Sequence, residues 1–179
     1  IHCEEVQNMN RVDNQNSCSV TGRDVTGNIR LRNVQRTDLP KLYEFQLDPA
    51  ANQLALTHPR SADAFDKHWE GILGDSSVIV RAIQVGNMLA GCVSCFKSDG
   101  QDSIGYWIGK EFWGKGVATQ ALKLLLLEVP VRPLHARVAV SIIASLRVLQ
   151  KCGFAIVSHE MSPATDRYVE CEEAILELS

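Results

Sequence analysis

The chain has 179 residues, a net charge of −3 and 45% hydrophobic residues. Those figures fit one soluble globular domain that buries about 70% of the surface its unfolded chain exposes. They exclude a wholly disordered, collagen-like or coiled-coil chain, and no global positive field draws the protein to nucleic acid or to an anionic membrane.

Residues 1–27 read as a polar N-terminal extension, because Asn8, Asn10, Asn14 and Asn16 crowd a stretch with little periodicity. The start has neither the basic segment nor the apolar core of a secretion signal. The richest apolar run, Ala121 to Leu127, contains Lys123 and falls well short of the ~20 residues that cross a bilayer. The domain is expected over 28–179. Apolar alternation predicts a first strand from Asn28 to Gln35. Thr37 and Asp38 predict a helix start with Pro40 in its first turn, running to Asp48-Pro49. Ser61 caps a second predicted helix through Phe65, Trp69 and Ile72, stopped by Gly74. Trp69 is expected in the core, and His68 sits beside it.

Two strands, 77–85 and 88–97, flank Gly86-Asn87, the signature of a tight antiparallel hairpin. Ser98-Asp99-Gly100 is the next turn. A fourth strand over 103–109 places Ile104, Tyr106 and Ile108 on one face and Ser103, Gly105, Trp107 and Gly109 on the other. A helix follows Gly114-Lys115-Gly116, with Ala118, Ala121, Leu122, Leu125 and Val129 as its buried stripe. A fifth strand (134–140), a short helix closed by Gly153, and strands over 154–158 and 167–178 complete the chain. The order βααβββαβαββ describes an α+β fold with a mixed, mostly antiparallel sheet and one βαβ crossover.

Six cysteines are scattered at Cys3, Cys18, Cys92, Cys95, Cys152 and Cys171. Cys92 and Cys95 form a CxxC, but on a strand residues three apart point to opposite faces. With no second CxxC and no His pair at ligand spacing, no metal site is read. Free core thiols and a cytoplasmic setting are expected.

The chemistry concentrates in Ile104 to Thr119, where strand, glycine-rich loop and helix start follow one another. The first amides of a helix lack intrahelical partners and the dipole is positive there, so the loop reads either as a phosphate cradle or as a packing turn. A P-loop needs GxxxxGK[ST], which is absent. A dinucleotide fingerprint needs a glycine where Thr119 stands and an acidic residue where Val140-Ser141 stands.

The run Trp113-Gly114-Lys115-Gly116-Val117-Ala118 resembles the acyl-CoA loop, [QR]-x-x-G-x-[GA], of the GNAT N-acetyltransferases. Downstream, Ser141 to Phe154 is similar to that family's N-x-A-S-x-x-V-L-x-K-x-G-F. Gly105-Tyr106-Trp107-Ile108 points to its RimJ/RimL branch. The resemblance covers about 28–179 and implies a sheet splayed between its fourth and fifth strands, with helices on both faces. It implies acetyl-CoA as co-substrate and no metal. The loop contributes Gly114, Lys115, Gly116, Val117, Ala118 and Thr119 as cofactor contacts. Backbone near Trp107, Ile108 and Gly109 would meet pantetheine, and Ser145 the thioester end. Three residues depart from the pattern: Trp113 replaces Gln/Arg, Ile142 replaces Asn, and Leu149 replaces the Tyr that protonates the leaving thiolate. Ser103 stands where some members carry Glu.

The implied reaction is direct attack of a neutral primary amine on the thioester, with one strand amide facing the developing oxyanion. Ser145 is a candidate donor to the leaving sulfur or a helix-start serine. Tyr106 is a second candidate donor or a core residue. His58 is a base, a substrate contact or a loop residue. Asp102 or Ser103 would order a water, and Lys115 is a phosphate contact or a solvated charge. The acceptor is expected to be a protein N-terminus, as on a ribosomal protein, or a small-molecule amine, and the protein a monomer or homodimer. The alternative function is a non-catalytic acyl-CoA sensor of the same fold.

Overall fold

The computed structural model describes residues 28–179. The polar extension expected over 1–27, with Cys3 and Cys18, lies outside the described residues. The elements are β1 (Ile29–Asn33), α1 (Leu39–Leu47), α2 (Pro49–Ala55), α3 (Ala62–Gly74), β2 (Ile79–Val85), β3 (Met88–Ser98), β4 (Gln101–Ile108), α4 (Val117–Glu128), β5 (Leu134–Ala139), α5 (Ile143–Lys151), β6 (Ala155–Ser162) and β7 (Cys171–Leu178). They form a seven-stranded sheet in the order β1-β2-β3-β4-β5-β7-β6. It is antiparallel except for the β4–β5 pair, which the α4 crossover joins.

The first half departs from the sequence reading in one respect. Two helices are expected before the hairpins and three are found. Asp48-Pro49 does end α1, but it also starts α2. The Asp48 carboxylate accepts from the amides of Ala50 (2.8 Å) and Ala51 (3.0 Å), and Pro49 takes the first helical position, where no amide hydrogen is needed. α2 closes on Leu56 in the left-handed region (φ 52°). Ser61 caps α3 as its type predicts, accepting from Ala64 N, and the helix buries Phe65, Trp69 and Ile72.

β2 and β3 turn at Gly86 (φ 62°), and β3 and β4 at Asp99 (φ 50°) and Gly100 (φ 80°). β4 is buried on both faces from Ile104 to Ile108 because helices cover both sides of the sheet. α1 lies against the Gly109 side, where a Cβ on Gly109 would stand 2.5 Å from the Phe45 ring. α4 and α5 take the other side, joined to Tyr106 and Ile108. At their junction β6 runs longer than expected, to Ser162, and β7 starts later than expected, at Cys171. Cys92 and Cys95 are buried in the hairpin core and form no disulfide among the described residues, and burial raises the Cys95 pKa.

One ion pair ties the first strand to the first helix. Arg32 donates to both oxygens of Asp38 (2.6 and 2.7 Å), and Gln35 N donates to the same carboxylate. The Arg32 hydrogen bonds hold the Asp38 pKa below its ordinary value against the opposing effect of burial. A depressed carboxylate stabilises the fold above its unfolded pKa, and that contribution is lost as pH falls through the folded value. Asp38→Ala is therefore expected to cost about 1–3 kcal/mol at neutral pH, and this deficit should shrink below about pH 4. Urea melts at pH 7 and pH 3 measure both. An equal deficit at the two pH values would show that the charge of Asp38 does not matter.

Candidate active site

β4 and β5 share a single bridge, Ser103 with His135, and then diverge. The consequence for β4 follows from its other neighbour. Gly109 N donates to Ala90 O (2.8 Å). In an antiparallel ladder alternate residues face the partner strand. Gly105 and Trp107 therefore face β3, and Tyr106 and Ile108 turn their backbone groups towards β5, which has moved away. Near Trp107–Gly109, the Gly109 amide is thus spent on β3, and the gap-facing positions are Tyr106 and Ile108. Trp113, the departure from the family loop, donates its indole N–H to the Ile108 carbonyl (2.8 Å). It fixes the loop to the end of β4.

The loop itself has a specific backbone. Gly114 (φ 68°) and Gly116 (φ 73°) are both left-handed, and Gly116 is the N-cap of α4. Among the described residues no side chain caps this helix. Gln120 N is the first amide to find an intrahelical acceptor, Gly116 O (3.1 Å), so the amides of Val117, Ala118 and Thr119 precede the ladder. They open on a pocket of about 180 Å³ between α4 and α5. Arg147 and Lys151 from α5 line its other wall. These two cations were missed from the sequence. Their i, i+4 spacing on a helix that buries Ala144, Ser145 and Leu149 was the available signal. Lys115 turns the other way and donates to the Glu111 carbonyl (2.6 Å).

Tyr106 and Ser145, singled out separately in the sequence, meet. Their hydroxyl oxygens are 2.6 Å apart, and the two residues are 1% and 0% exposed. Ile142 and Leu149, in place of the polar residues of the family pattern, are buried. Trp107 on the opposite face is also buried, and its indole Nε1 has no hydrogen-bond partner among the described residues.

Ser103 and Gly105 face a second cavity, of about 370 Å³, on the other side of the sheet. Its far wall is Arg137 and Ala139 on β5, Ser162 on β6 and Glu173 on β7. Its near wall joins two loops: Thr57 bridges Tyr168, His58 N donates to Arg167 O (2.8 Å) and Val169 N to Leu56 O (2.9 Å). The His58 side chain is exposed, while its backbone holds this wall together. His68, on α3, is pushed down to about 4 by burial, with Arg60 and Arg167 acting in the same sense. Asp102 is held by Lys97 (2.9 Å) at the start of β4.

Inside the far wall Arg137 donates to Glu173 (3.0 Å) and to Glu160 (3.1 Å), and Ser162 donates to Glu173. Burial disfavours the Arg137 cation, yet these ion pairs outweigh it and raise its pKa. Nothing local in the sequence announces this cluster, because β5, β6 and β7 are brought together by a non-consecutive strand order.

The sequence profile of the acetyltransferase (GNAT) domain matches residues 28–155. The chain belongs to the GNAT acetyltransferase family. Solved GNAT structures share its fold. RimL, a ribosomal protein alpha-N-acetyltransferase in complex with coenzyme A, superposes with a TM-score of 0.71 at 20% identity, over 86% of this chain and 95% of the other. Spermidine N-acetyltransferase from Vibrio cholerae, in complex with CoA and spermine, gives 0.71 at 16% over 85% and 95%. The microcin C7 self-immunity acetyltransferase MccE, in complex with acetyl-CoA and AMP, gives 0.72 at 21% over 89% and 97%. No curated protein matches the sequence. The protein is an acetyl-CoA-dependent N-acetyltransferase, and its residues fit that co-substrate. The two left-handed glycines, the α4 terminus and the facing Arg147 and Lys151 line a cationic pocket walled by backbone amides, a setting that suits an anion. Among the described residues no three His, Cys, Asp or Glu side chains are grouped to hold a metal, and no helix is long and apolar enough to cross a membrane.

Proposed function

We propose that this GNAT enzyme acetylates the primary amine of a compact small molecule, bound in the 370 Å³ cavity, by direct attack across the β4–β5 gap. The observation that carries this reading is the end of the β4–β5 ladder after Ser103 and His135. It leaves a gap with the helix-terminus pocket on one side of the sheet and the walled cavity on the other. The bond between the α2–α3 loop and the β6–β7 loop closes the near wall, which favours a compact amine over a long peptide.

Each residue then has a task. The amides of Val117, Ala118 and Thr119, with Arg147 and Lys151, hold the diphosphate. Gly114 and Gly116 let the loop approach it. The Tyr106 backbone and the Ile108 amide face the gap where pantetheine and the thioester oxygen would lie, the Ile108 carbonyl being held by Trp113. Acetyl-CoA supplies the activated acyl group. Tyr106 and Ser145 together move a proton towards the leaving sulfur. Ser103 borders the acceptor and orders a water that takes the proton of the attacking amine.

Release of free thiol from acetyl-CoA with a panel of primary amines tests this. Amine-dependent release is expected, with kcat/KM rising with pH, since an ammonium has no lone pair to attack with. Acetyl-CoA binding without release by any amine, or a rate flat from about pH 6 to 9, would overturn it.

A further inference from the structure

The far wall of the acceptor cavity holds one carboxylate in a way that a structural ion pair does not require. Glu173 receives both of its hydrogen bonds, from Arg137 Nε and from Ser162 Oγ, on the same oxygen, Oε2. Its other oxygen, Oε1, has no partner among the described residues, and Glu173 lines the cavity. The surrounding charge is not balanced against an incoming cation. Arg137 is the sole cation among the described lining residues, and it is already shared by Glu173 and Glu160. Asp99 adds a further negative charge to the same cavity.

Position along the sheet says what Glu173 can reach. It pairs with Ala139, so β5 stands between it and the β4–β5 gap. Neighbouring strands lie about 4.8 Å apart. Glu173 is therefore too far over to hold the nitrogen that attacks in the gap, and well placed for a group set back from it by several bonds.

We propose that Glu173 is the acceptor-positioning residue of the cavity: its free Oε1 takes a second, cationic group of the acceptor, and Arg137 and Ser162 aim it. This rests on the acetyl transfer proposed above and deepens it. The positioning of the acceptor then depends on charge at its far end. An acceptor with a neutral tail loses the anchor, and one with a carboxylate tail meets Glu173 and Asp99 as like charges. Arg137 does not rescue the latter, because its single charge is already shared by Glu173 and Glu160.

Three probes with four carbons each isolate the effect: 1,4-diaminobutane, butylamine and 4-aminobutanoate. The full chain should acetylate them in that order of kcat/KM. Glu173→Gln is expected to lower kcat/KM for the diamine at least tenfold, mainly through KM, and to leave butylamine and the KM of acetyl-CoA within about twofold. Glu173→Asp should fall between. A diamine-to-butylamine ratio that survives Glu173→Gln overturns the proposal, and so does a parallel loss for both amines, which marks a merely structural role. Should Glu173→Gln fail to fold, Ser162→Ala, which removes one aiming hydrogen bond, is expected to reduce the same ratio several-fold, and an unchanged ratio again overturns it. A wild type that releases thiol with other primary amines but shows no preference for the diamine also overturns it while leaving acetyl transfer standing. Absence of release with every primary amine would instead remove the transfer reading itself.

Discussion

Gly116→Glu is expected to abolish measurable acetyl-CoA binding while the protein stays folded. Gly116 occupies the left-handed region at φ 73° and caps α4 without any side-chain hydrogen bond. A residue with a Cβ at this φ is strained, so the loop either bears the strain or leaves the turn. Leaving the turn misdirects the amides of Val117, Ala118 and Thr119. Hydrogen bonds to a charged group contribute about 1.5–3 kcal/mol each, so the loss of two weakens binding by about 10²–10⁴-fold. The new carboxylate adds repulsion against the diphosphate at the positive end of the helix dipole and competes for Arg147 and Lys151 across the pocket. Gly116→Ala carries the strain without the charge and should be the milder of the two. Calorimetric titration of acetyl-CoA into each protein, with circular dichroism as the check on folding, separates them. A folded Gly116→Glu protein that binds like wild type would make the loop a packing turn only.

The loop was legible because its signals are local. Gly114 and Gly116 mark the two left-handed positions, and the strand before and the helix after them are each set by short-range periodicity. The hairpins were legible for the same reason, since Gly86-Asn87 lies between two apolar runs. The extra helix α2 was not, because Asp48-Pro49 carries two meanings: it stops α1 and caps its successor, and only the geometry of the chain beyond decides between a loop and a second helix. β6 was set too short, and the start of β7 was set too early because Arg167 and Val169 do not join its ladder. They are spent on the Leu56 and His58 backbone instead.

The candidate site divides along the same line. The α4 terminus was visible residue by residue. The far wall of the proposed acceptor cavity was not, since Arg137, Glu160, Ser162 and Glu173 are scattered over three strands and meet only through the order β5-β7-β6. Trp113 shows why a motif position can be right while its chemistry differs. Where the family pattern has Gln or Arg, its indole holds the loop to the Ile108 carbonyl. Arg147 and Lys151 then supply the cations on the opposite wall.

Tyr106 and Ser145 carry the second large effect, and a double-mutant cycle distinguishes a proton relay from a core hydrogen bond. The two hydroxyls are 2.6 Å apart between β4 and α5, and neither residue is reached by solvent. Tyr106→Phe leaves the Ser145 hydroxyl without this partner in the core, at a cost of about 1–3 kcal/mol. Ser145→Ala is expected to cost a similar amount. Removing both hydroxyls together replaces a buried polar pair by apolar groups of nearly the same shape, which is close to neutral for stability. Catalysis should not follow that pattern. With Leu149 buried where the family carries its tyrosine, the Tyr106–Ser145 pair is the hydroxyl source we propose for the thiolate side of the gap. Loss of a proton donor lowers kcat by about 10²-fold. Groups that act as a unit lose little more when both are removed. The double variant is therefore expected to regain thermal stability and to remain as slow as either single variant, with the KM of acetyl-CoA little changed. A double variant that regains kcat along with its stability would reduce the pair to packing and move the acid to another group.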